Sequence, residues 1–136
     1  MAKTAQQIFD LACGFMGITS DVATSYSGAF LPQLNLILAN NLELENNNRR
    51  YKNLTLVTPL ALLTDAPTVT ALGDSIDYQN NVLTNVIVYG VAQLMALSDE
   101  DTIRAGMCET RYIDGQDRES KLIPSEITDA YYGVDE

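Results

Sequence analysis

Carboxylates are the side chains of this chain that could most readily take part in catalysis or metal binding, because it has 18 acidic residues and no histidine. Without histidine, Ser–His and Cys–His nucleophile pairs are excluded, and so is the commonest zinc ligand. Asp74 and Asp77 are spaced as a carboxylate pair that a small acid-dependent hydrolase could use. They also lie in a turn just before a predicted helix, where acids are favourable. We therefore predict a capping role for this pair, and neither an enzyme nor a catalytic residue.

A second acidic cluster, Asp99, Glu100 and Asp101, follows an uncharged run directly. Ser98 is suited to cap the helix that follows, with Asp101 at the capping-box position. The first turn of a helix favours negative charge, which accounts for all three carboxylates. The sequence therefore predicts a helix start here rather than a metal site.

The two cysteines, Cys13 and Cys108, lie in separate predicted helices. Reduced, packed thiols are the expected state in a protein made in a cytosol. The chain has no P-loop, no glycine-rich dinucleotide turn and no Cys-x-x-Cys motif. We therefore expect no cofactor and no metal.

The net charge of −10 is concentrated in the second half of the chain. Residues 1–73 carry five acids and four bases, whereas residues 74–136 carry thirteen acids and four bases. Such a surface repels phosphate, which argues against duplex binding by charge neutralisation. It also favours solubility.

The length of 136 residues fits one domain that can bury a core without a metal or a disulfide. No uninterrupted apolar run reaches the roughly 18 residues of a bilayer span, and the N-terminus lacks a signal-peptide core. We expect a soluble protein with no membrane partner.

Apolar spacing predicts a mainly α fold, a small bundle of about four helices within a domain of residues 1–120. The predicted helices cover residues 4–15, with Thr4 and Gln7 as a capping box, 23 or 25–46, 79–97, and 99–117 or 119. Pro32 falls inside the second helix and is expected to loosen its early turn. Between the second and third helices, residues 54–75 alternate Leu and Val with Thr, which predicts a short β-hairpin or an extended arm.

The third and fourth helices are expected to pack closely. The third is apolar around most of its circumference, which is typical of a central helix. Gly90 within it suggests close approach of a neighbouring helix, and Tyr89 can bury its ring while its hydroxyl stays in water. On the fourth helix, the predicted packed stripe is Ile103, Gly106, Met107, Thr110 and Ile113.

Two sets of basic residues each allow two interpretations. Arg104, Arg111 and Arg118 are seven residues apart and share a helix face, either paired with nearby acids or turned toward an adjacent subunit. Arg49, Arg50 and Lys52 follow the second helix, where they either complement the helix dipole or contact a negative partner.

The last segment, residues 121–136, is acidic but carries apolar side chains that disordered tails usually lack. We predict that it docks on a partner. The docking candidates are Leu122, Ile123, Pro124, Tyr131 and Tyr132.

Two stretches carry a resemblance to a known family. One is "TAQQIFDLACGFMG", followed by a leucine-rich helix; the other is "PTVTALGDSIDY" followed by "VLTNVIVYGVAQLMALSDED" and "AGMCETRYIDGQDRES". In this order the chain resembles the helical head–tail connector proteins of tailed bacteriophages, also called adaptor or neck proteins. The likeness covers roughly residues 4–119 and rests on packing motifs.

The resemblance implies a structural virion protein at the head–tail interface, made in the host bacterial cytoplasm. Members of the family form homo-oligomeric rings, typically twelve-fold, that bind the portal protein and a tail or second neck protein. The ring extends the channel through which DNA passes without specific binding, and the C-terminal segment commonly reaches the portal. We expect the channel-facing residues to come from a set of acids, Asp99, Glu100, Asp101, Glu109, Asp114 and Asp117.

A different virion component, a tail-completion or tail-terminator ring protein, is the alternative function. Such a protein is usually richer in strands. A helical domain with no assembly role would instead stay monomeric at high concentration.

Overall fold

The computed structural model describes residues 3–18 and 27–120. Within them the chain is mainly helical, as predicted, and no strand occurs; Thr4 and Ser75 form an isolated antiparallel bridge. Five helices are described rather than about four: α1 (Ala5–Met16), α2 (Ser27–Asn40), α3 (Leu42–Asn53), α4 (Asn80–Ser98) and α5 (Thr102–Glu119). The predicted docking segment, residues 121–136, lies outside the described residues.

Helix α1 begins and ends with local signals that the sequence contains. The Thr4 hydroxyl accepts a hydrogen bond from the Gln7 amide (3.3 Å), and the Gln7 side chain accepts one from the Thr4 amide (2.9 Å). This capping box confirms the predicted start. Gly17 ends the helix at φ 71°, a left-handed conformation that glycine adopts without a steric penalty.

The single second helix that was predicted is wrong, because the chain divides at Asn41 into α2 and α3. The buried Asn41 side chain donates to the Ile37 carbonyl and to the Tyr112 hydroxyl, both at 2.8 Å. Asparagine favours breaks because its side chain competes for backbone partners. Pro32 lies inside α2, where its ring is exposed.

Helix α4 is the centre of the domain, as predicted. Its apolar side chains pack against α1, α2 and α5, and Val82, Val86 and Val91 are fully buried. Residues Leu83–Ile87 form a π-helical turn between two α-helical segments. Asn80–Ser98 is long and apolar enough to cross a membrane by length and composition, with a mean hydropathy of 1.4; 56% of that window is buried inside this chain. Central packing accounts for its apolar character.

The orientation predicted for the last helix is wrong. In α5 the side facing the core carries small residues, Ala105, Cys108 and Gly115, whereas Ile103, Met107 and Ile113 are exposed. A Cβ placed on Gly115 would lie 1.9 Å from the Asn85 carbonyl oxygen in the π-helical turn. The backbone of α4 therefore comes so close that only a glycine fits, and the larger apolar residues face outward.

The start of α5 also differs from the prediction. Asp101, not Ser98, is the N-cap: its carboxylate accepts a hydrogen bond from the Arg104 amide at 3.1 Å. The Ser98 hydroxyl instead donates to the Leu94 carbonyl (2.9 Å) within α4. Asp99 and Glu100 lie in the connecting turn rather than in the first helical turn, and Glu100 has a φ of 57°.

Residues 54–79, here called the arm, connect α3 to α4 through turns and irregular backbone, and the β-hairpin that was one of the two predictions does not form. Three asparagines of α2 and α3 hold its backbone, each donating its amide to a peptide carbonyl and accepting from the same residue's amide. These pairs are Asn53 with Leu60, Asn46 with Leu63, and Asn35 with Val69, at 2.7–3.0 Å. The carboxamides take the place of a neighbouring strand, which accounts for Asn46 and Asn53 of α3.

Replacing Asn46 with alanine is expected to cost about 1–3 kcal/mol of stability, because it leaves the half-buried Leu63 amide and carbonyl without partners. The loss should be local to the arm. Hydrogen exchange should speed up at Leu63 while the α4 amides keep their protection. Asn40→Ala is the control, since Asn40 is exposed at the end of α2. Equal losses of stability in the two variants would contradict the conclusion that such asparagine pairs, here called asparagine clamps, hold the arm.

Candidate assembly surface

A buried ion pair at the base of the arm is the strongest polar cluster that the sequence analysis missed. The Glu45 side chain is 0% exposed, and its carboxylate lies 2.5 Å from the Arg49 guanidinium, one helical turn along α3. Arg49 also donates to the carbonyls of Ala61 (2.7 Å) and Asp77 (2.8 Å), and lies 3.2 Å from the Asp77 carboxylate. One side chain therefore joins α3 to both halves of the arm.

The Arg49 side chain is 5% exposed and bonded within this chain, so its interpretation as a solvated charge at the helix end is wrong. Arg50 and Lys52 do lie in the last turn of α3, where positive charge complements the helix dipole. The Lys52 ammonium additionally donates to the side chains of Gln79 (3.1 Å) and Asn81 (2.6 Å). The signal for this buried network was the i,i+4 spacing of Glu45 and Arg49 on one helix.

The network continues to the end of α5. The Glu119 carboxylate accepts hydrogen bonds from Asn81 (2.8 Å) and Asn85 (3.2 Å), and its carbonyl accepts one from Asn48 (3.4 Å). The other Glu45 oxygen accepts the Gln79 amide at 3.0 Å. Burial raises the pKa of the Glu45 carboxyl, while its hydrogen bonds to Arg49 and Gln79 act in the opposite direction. Because its polar groups bond one another, this cluster is suited to holding the fold rather than binding a ligand.

The carboxylates considered as a hydrolase pair have separate structural partners. Asp74 accepts hydrogen bonds from the amides of Thr70 and Ala71, both at 3.1 Å, and these bonds lower the pKa of its carboxyl. Asp77 pairs with Arg49 as described. Asp74 therefore closes a turn in the arm instead of capping a helix, and Asp77 anchors the arm to α3.

The six acids predicted to face a channel fall into different places. Asp99, Glu100 and Asp101 form the turn between α4 and α5, and Asp101 is occupied as the helix cap. Glu109 lies on the exposed side of α5 at mid-length. Asp114 and Asp117 share the exposed side of α5 with Ile113, and Asp114 pairs with Arg118 at 3.4 Å.

Of the three arginines of α5, Arg104 and Arg118 have acids of this chain nearby. Arg104 lies 3.5 Å from Asp101 and also donates to the Met16 carbonyl at the end of α1. Arg111 lies over the rings of Phe15 (5.2 Å) and Tyr89 (5.9 Å). This side of α5 therefore contacts α1 within the same chain.

Tyr89 and Gly90 occupy the packing positions expected of them. The half-buried Tyr89 ring meets Phe15 edge-on, with ring centroids 4.9 Å apart. A Cβ on Gly90 would lie 2.9 Å from side-chain atoms of Ile37 and Tyr112. Neighbouring helices therefore approach α4 closely here.

Exposed apolar side chains form two surfaces that nothing in the described chain covers. The first is the outer face of α5, formed by Ile103 (77% exposed), Met107 (55%) and Ile113. Their spacing places them on the side opposite Ala105, Cys108 and Gly115. The second is the arm tip, residues 54–59, where Val57 is 100% exposed and Leu54 and Leu56 are also exposed. Several large apolar side chains exposed on one side of an element are typical of interaction sites.

A pocket of about 190 Å³ opens beside the outer face of α5, here called the α1–α5 pocket. Its lining combines the end of α1 with the first turns of α5: Gly14, Phe15, Met16, Gly17, Arg104, Met107 and Cys108. Cys108 and Cys13 are both buried, free thiols, as expected, and burial raises the pKa of each.

In comparisons with known proteins, no family model, no curated protein and no solved structure matches this chain. Within residues 3–18 and 27–120, no group of three or more His, Cys, Asp or Glu residues could hold a metal ion. The exposed apolar surfaces, the outer face of α5 and the arm tip, are the features of the described residues that point to an interaction.

Proposed function

We propose that this protein is a subunit of a homo-oligomeric ring that connects the capsid portal of a tailed bacteriophage to its tail or neck. Twelve copies, the number typical of the family that the sequence resembles, would extend the DNA channel. The observation that carries the proposal is the apolar outer face of α5, because a monomer gains nothing by exposing Ile103 and Met107 to water. Contact between neighbouring copies would bury them.

The architecture supports a connector over a tail-terminator ring. The described residues are mainly helical and contain no strand, whereas tail-terminator proteins are usually strand-rich. The formal charge of −10 also suits a channel wall that leaves passing DNA unbound. The buried ion pair and the asparagine clamps would keep the subunit rigid while the channel transmits DNA.

The acids divide between two roles in this proposal. Glu109 and Asp117 each lie one helical turn from Ile113, which places them at the margin of the subunit contact. Asp99 and Glu100 are exposed in the turn before α5, away from Ile113, and are the better candidates for the channel wall, while Asp114 pairs with Arg118. A charge map of the assembled ring with a strongly positive bore would contradict this assignment.

Ile113→Asp is expected to abolish ring formation while leaving the fold intact, since half of this side chain is already in water. Circular dichroism should be unchanged, and sedimentation in the presence of the portal protein should show free monomer. Thr64→Asp, which adds the same charge at an exposed position of the arm, is the control. Electron microscopy of intact particles then tests the location: absence of this polypeptide from the portal vertex would refute the connector function.

A further inference from the structure

The arm tip and the α1–α5 pocket lie at opposite ends of the same protein. The tip follows Asn53, next to Lys52, which bonds Asn81 at the start of α4 and lies near the Glu119 end of α5. The pocket is lined by Arg104 and Cys108, near the start of α5. With a rise of 1.5 Å per residue, these levels of α5 are about 16–22 Å apart. A tip therefore cannot fill the pocket of its own chain in this fold.

The tip has the chemistry of a hydrophobic plug. Residues 54–59, "LTLVTP", contain no charged side chain, and all six are exposed. Its base is held by the Asn53–Leu60 pair on one side and by the Arg49–Ala61 bond (2.7 Å) just beyond. A loop fixed in this way loses little conformational freedom on binding, which favours association.

The pocket has a matching size and lining. Phe15, Met107 and Cys108 supply the apolar part of its lining, beside the small residues Gly14 and Gly17. An apolar cavity of about 150 Å³ accommodates benzene, so about 190 Å³ is enough for an aliphatic side chain. Its polar group, Arg104, is already engaged with Asp101 and the Met16 carbonyl. Met107 continues from the pocket onto the outer face of α5, which would widen the contact.

We infer that the arm tip of one copy docks, through Leu56 and Val57, in the α1–α5 pocket of a second copy. A plug and a pocket at opposite ends of one chain make a head-to-tail contact, which closes into a ring when the rotation between copies permits. This inference rests on the proposed ring and names the surfaces that form it. The acidic segment 121–136 is a poorer occupant, because Arg104, the cation in the pocket lining, already pairs with Asp101 and the segment brings four more carboxylates.

Cysteine cross-linking tests the contact directly. In a Cys108→Ala background, which removes the native thiol of the pocket, Val57→Cys and Met107→Cys chains, distinguished by a mass tag, are mixed at high concentration, with the portal protein present, and oxidised. We expect mixed dimers, and a chain carrying both cysteines should give a ladder of oligomers. The pair Val57→Cys with Glu109→Cys, on another side of α5, should cross-link far less. Truncation after Ser120 should leave the mixed dimer unchanged.

Val57→Asp provides a test without added cysteines. Because burying a valine is worth about 1.5–3 kcal/mol, this charge should weaken self-association about tenfold or more. The fold should be unaffected, since Val57 is fully exposed. Thr64→Asp, outside the tip, adds the same charge as a control and should change association little.

The outcomes separate this inference from the connector function. Rings that form without the mixed dimer, or dimers linked only through like cysteines, overturn the tip-and-pocket contact and leave a ring intact. Cross-links that disappear after truncation at Ser120 assign the pocket to the C-terminal segment and also overturn it. A chain that stays monomeric throughout overturns both proposals. A mixed dimer from a protein absent from the portal vertex supports the contact and overturns the connector alone.

Discussion

Arg49→Met is expected to lower the free energy of unfolding by about 3–5 kcal/mol, because it leaves the Glu45 carboxylate buried without its counter-ion. Methionine keeps most of the aliphatic volume, so the loss reports the charge and the hydrogen bonds rather than a cavity. Three further bonds to the arm disappear with the guanidinium. Urea denaturation monitored by circular dichroism measures the change.

Two further variants isolate the unpaired charge. Glu45→Gln combined with Arg49→Met removes the buried charge and should recover part of the loss. Arg50→Met, one residue along and only half-buried, should stay within about 0.5 kcal/mol of the parent protein. If Arg49→Met were as mild as Arg50→Met, the pair would not be the buried anchor of the arm.

The pH dependence of the stability loss provides a second test of the unpaired Glu45 carboxylate. Burial raises the pKa of Glu45, and without Arg49 the charged carboxylate is disfavoured further. A carboxyl with a raised pKa contributes stability that is present below its unfolded pKa, near 4.3, and is lost as pH rises through the folded value. The deficit of Arg49→Met should therefore shrink as pH falls toward 4. Glu45→Gln with Arg49→Met should not show this dependence.

Gly115→Ala is the second substitution with a large expected effect, about 3 kcal/mol or more. The added methyl would lie 1.9 Å from the backbone oxygen of Asn85, and a backbone carbonyl cannot rotate away as a side chain does. The two helices must separate, or the π-helical turn of α4 must rearrange. Thermal unfolding should report a large fall in Tm, and the 83–87 amides should exchange faster.

Gly106→Ala on the same helix is the matched control. Nothing lies within 4 Å of the position of its Cβ, and the residue is exposed. Alanine is favoured over glycine in a helix interior by about 1 kcal/mol, so this variant should be stabilised. Opposite signs at positions 106 and 115 are the expected result. If both variants were more stable than the parent protein, α5 would not lie against the Asn85 carbonyl.

Local signals in the sequence were sufficient where the structure depends on local bonds. The Thr4–Gln7 capping box and the apolar circumference of α4 predicted the start of α1 and the central helix. Both features involve residues within a turn or two of one another. The same reasoning chose Ser98 over Asp101 as a cap, because either residue type can cap and only the turn geometry distinguishes them.

Prediction failed where distant residues decide the outcome. The face of α5 was assigned by counting large apolar side chains, but its contact with α4 is decided by glycine and other small residues at close approach. The Leu–Thr alternation of the arm predicted a hairpin or an extended arm, but no strand forms, and the partners of the arm backbone are carboxamides from α2 and α3. Arg49 looked solvated because its partners in the arm lie 12 and 28 residues away.

The proposed role of the acids in a channel stays a prediction, whereas the close packing around Tyr89 and Gly90 follows from an apolar helix with a glycine in its interior. The exposed Ile103 and Met107 could not be found in this way, because their spacing is also that of a buried stripe. Only the position of the core identifies which side of α5 is free.

The asparagine clamps have a consequence for how this protein tolerates changes in length. Because the Asn53–Leu60 pair closes the loop at its base, residues 54–59 can be lengthened without shifting the register of anything beyond them. Doubling a flexible loop costs only about 0.6 kcal/mol of closure entropy. Residues 54–59 are therefore a site at which an epitope or a longer loop can be inserted while the rest of the domain is unchanged.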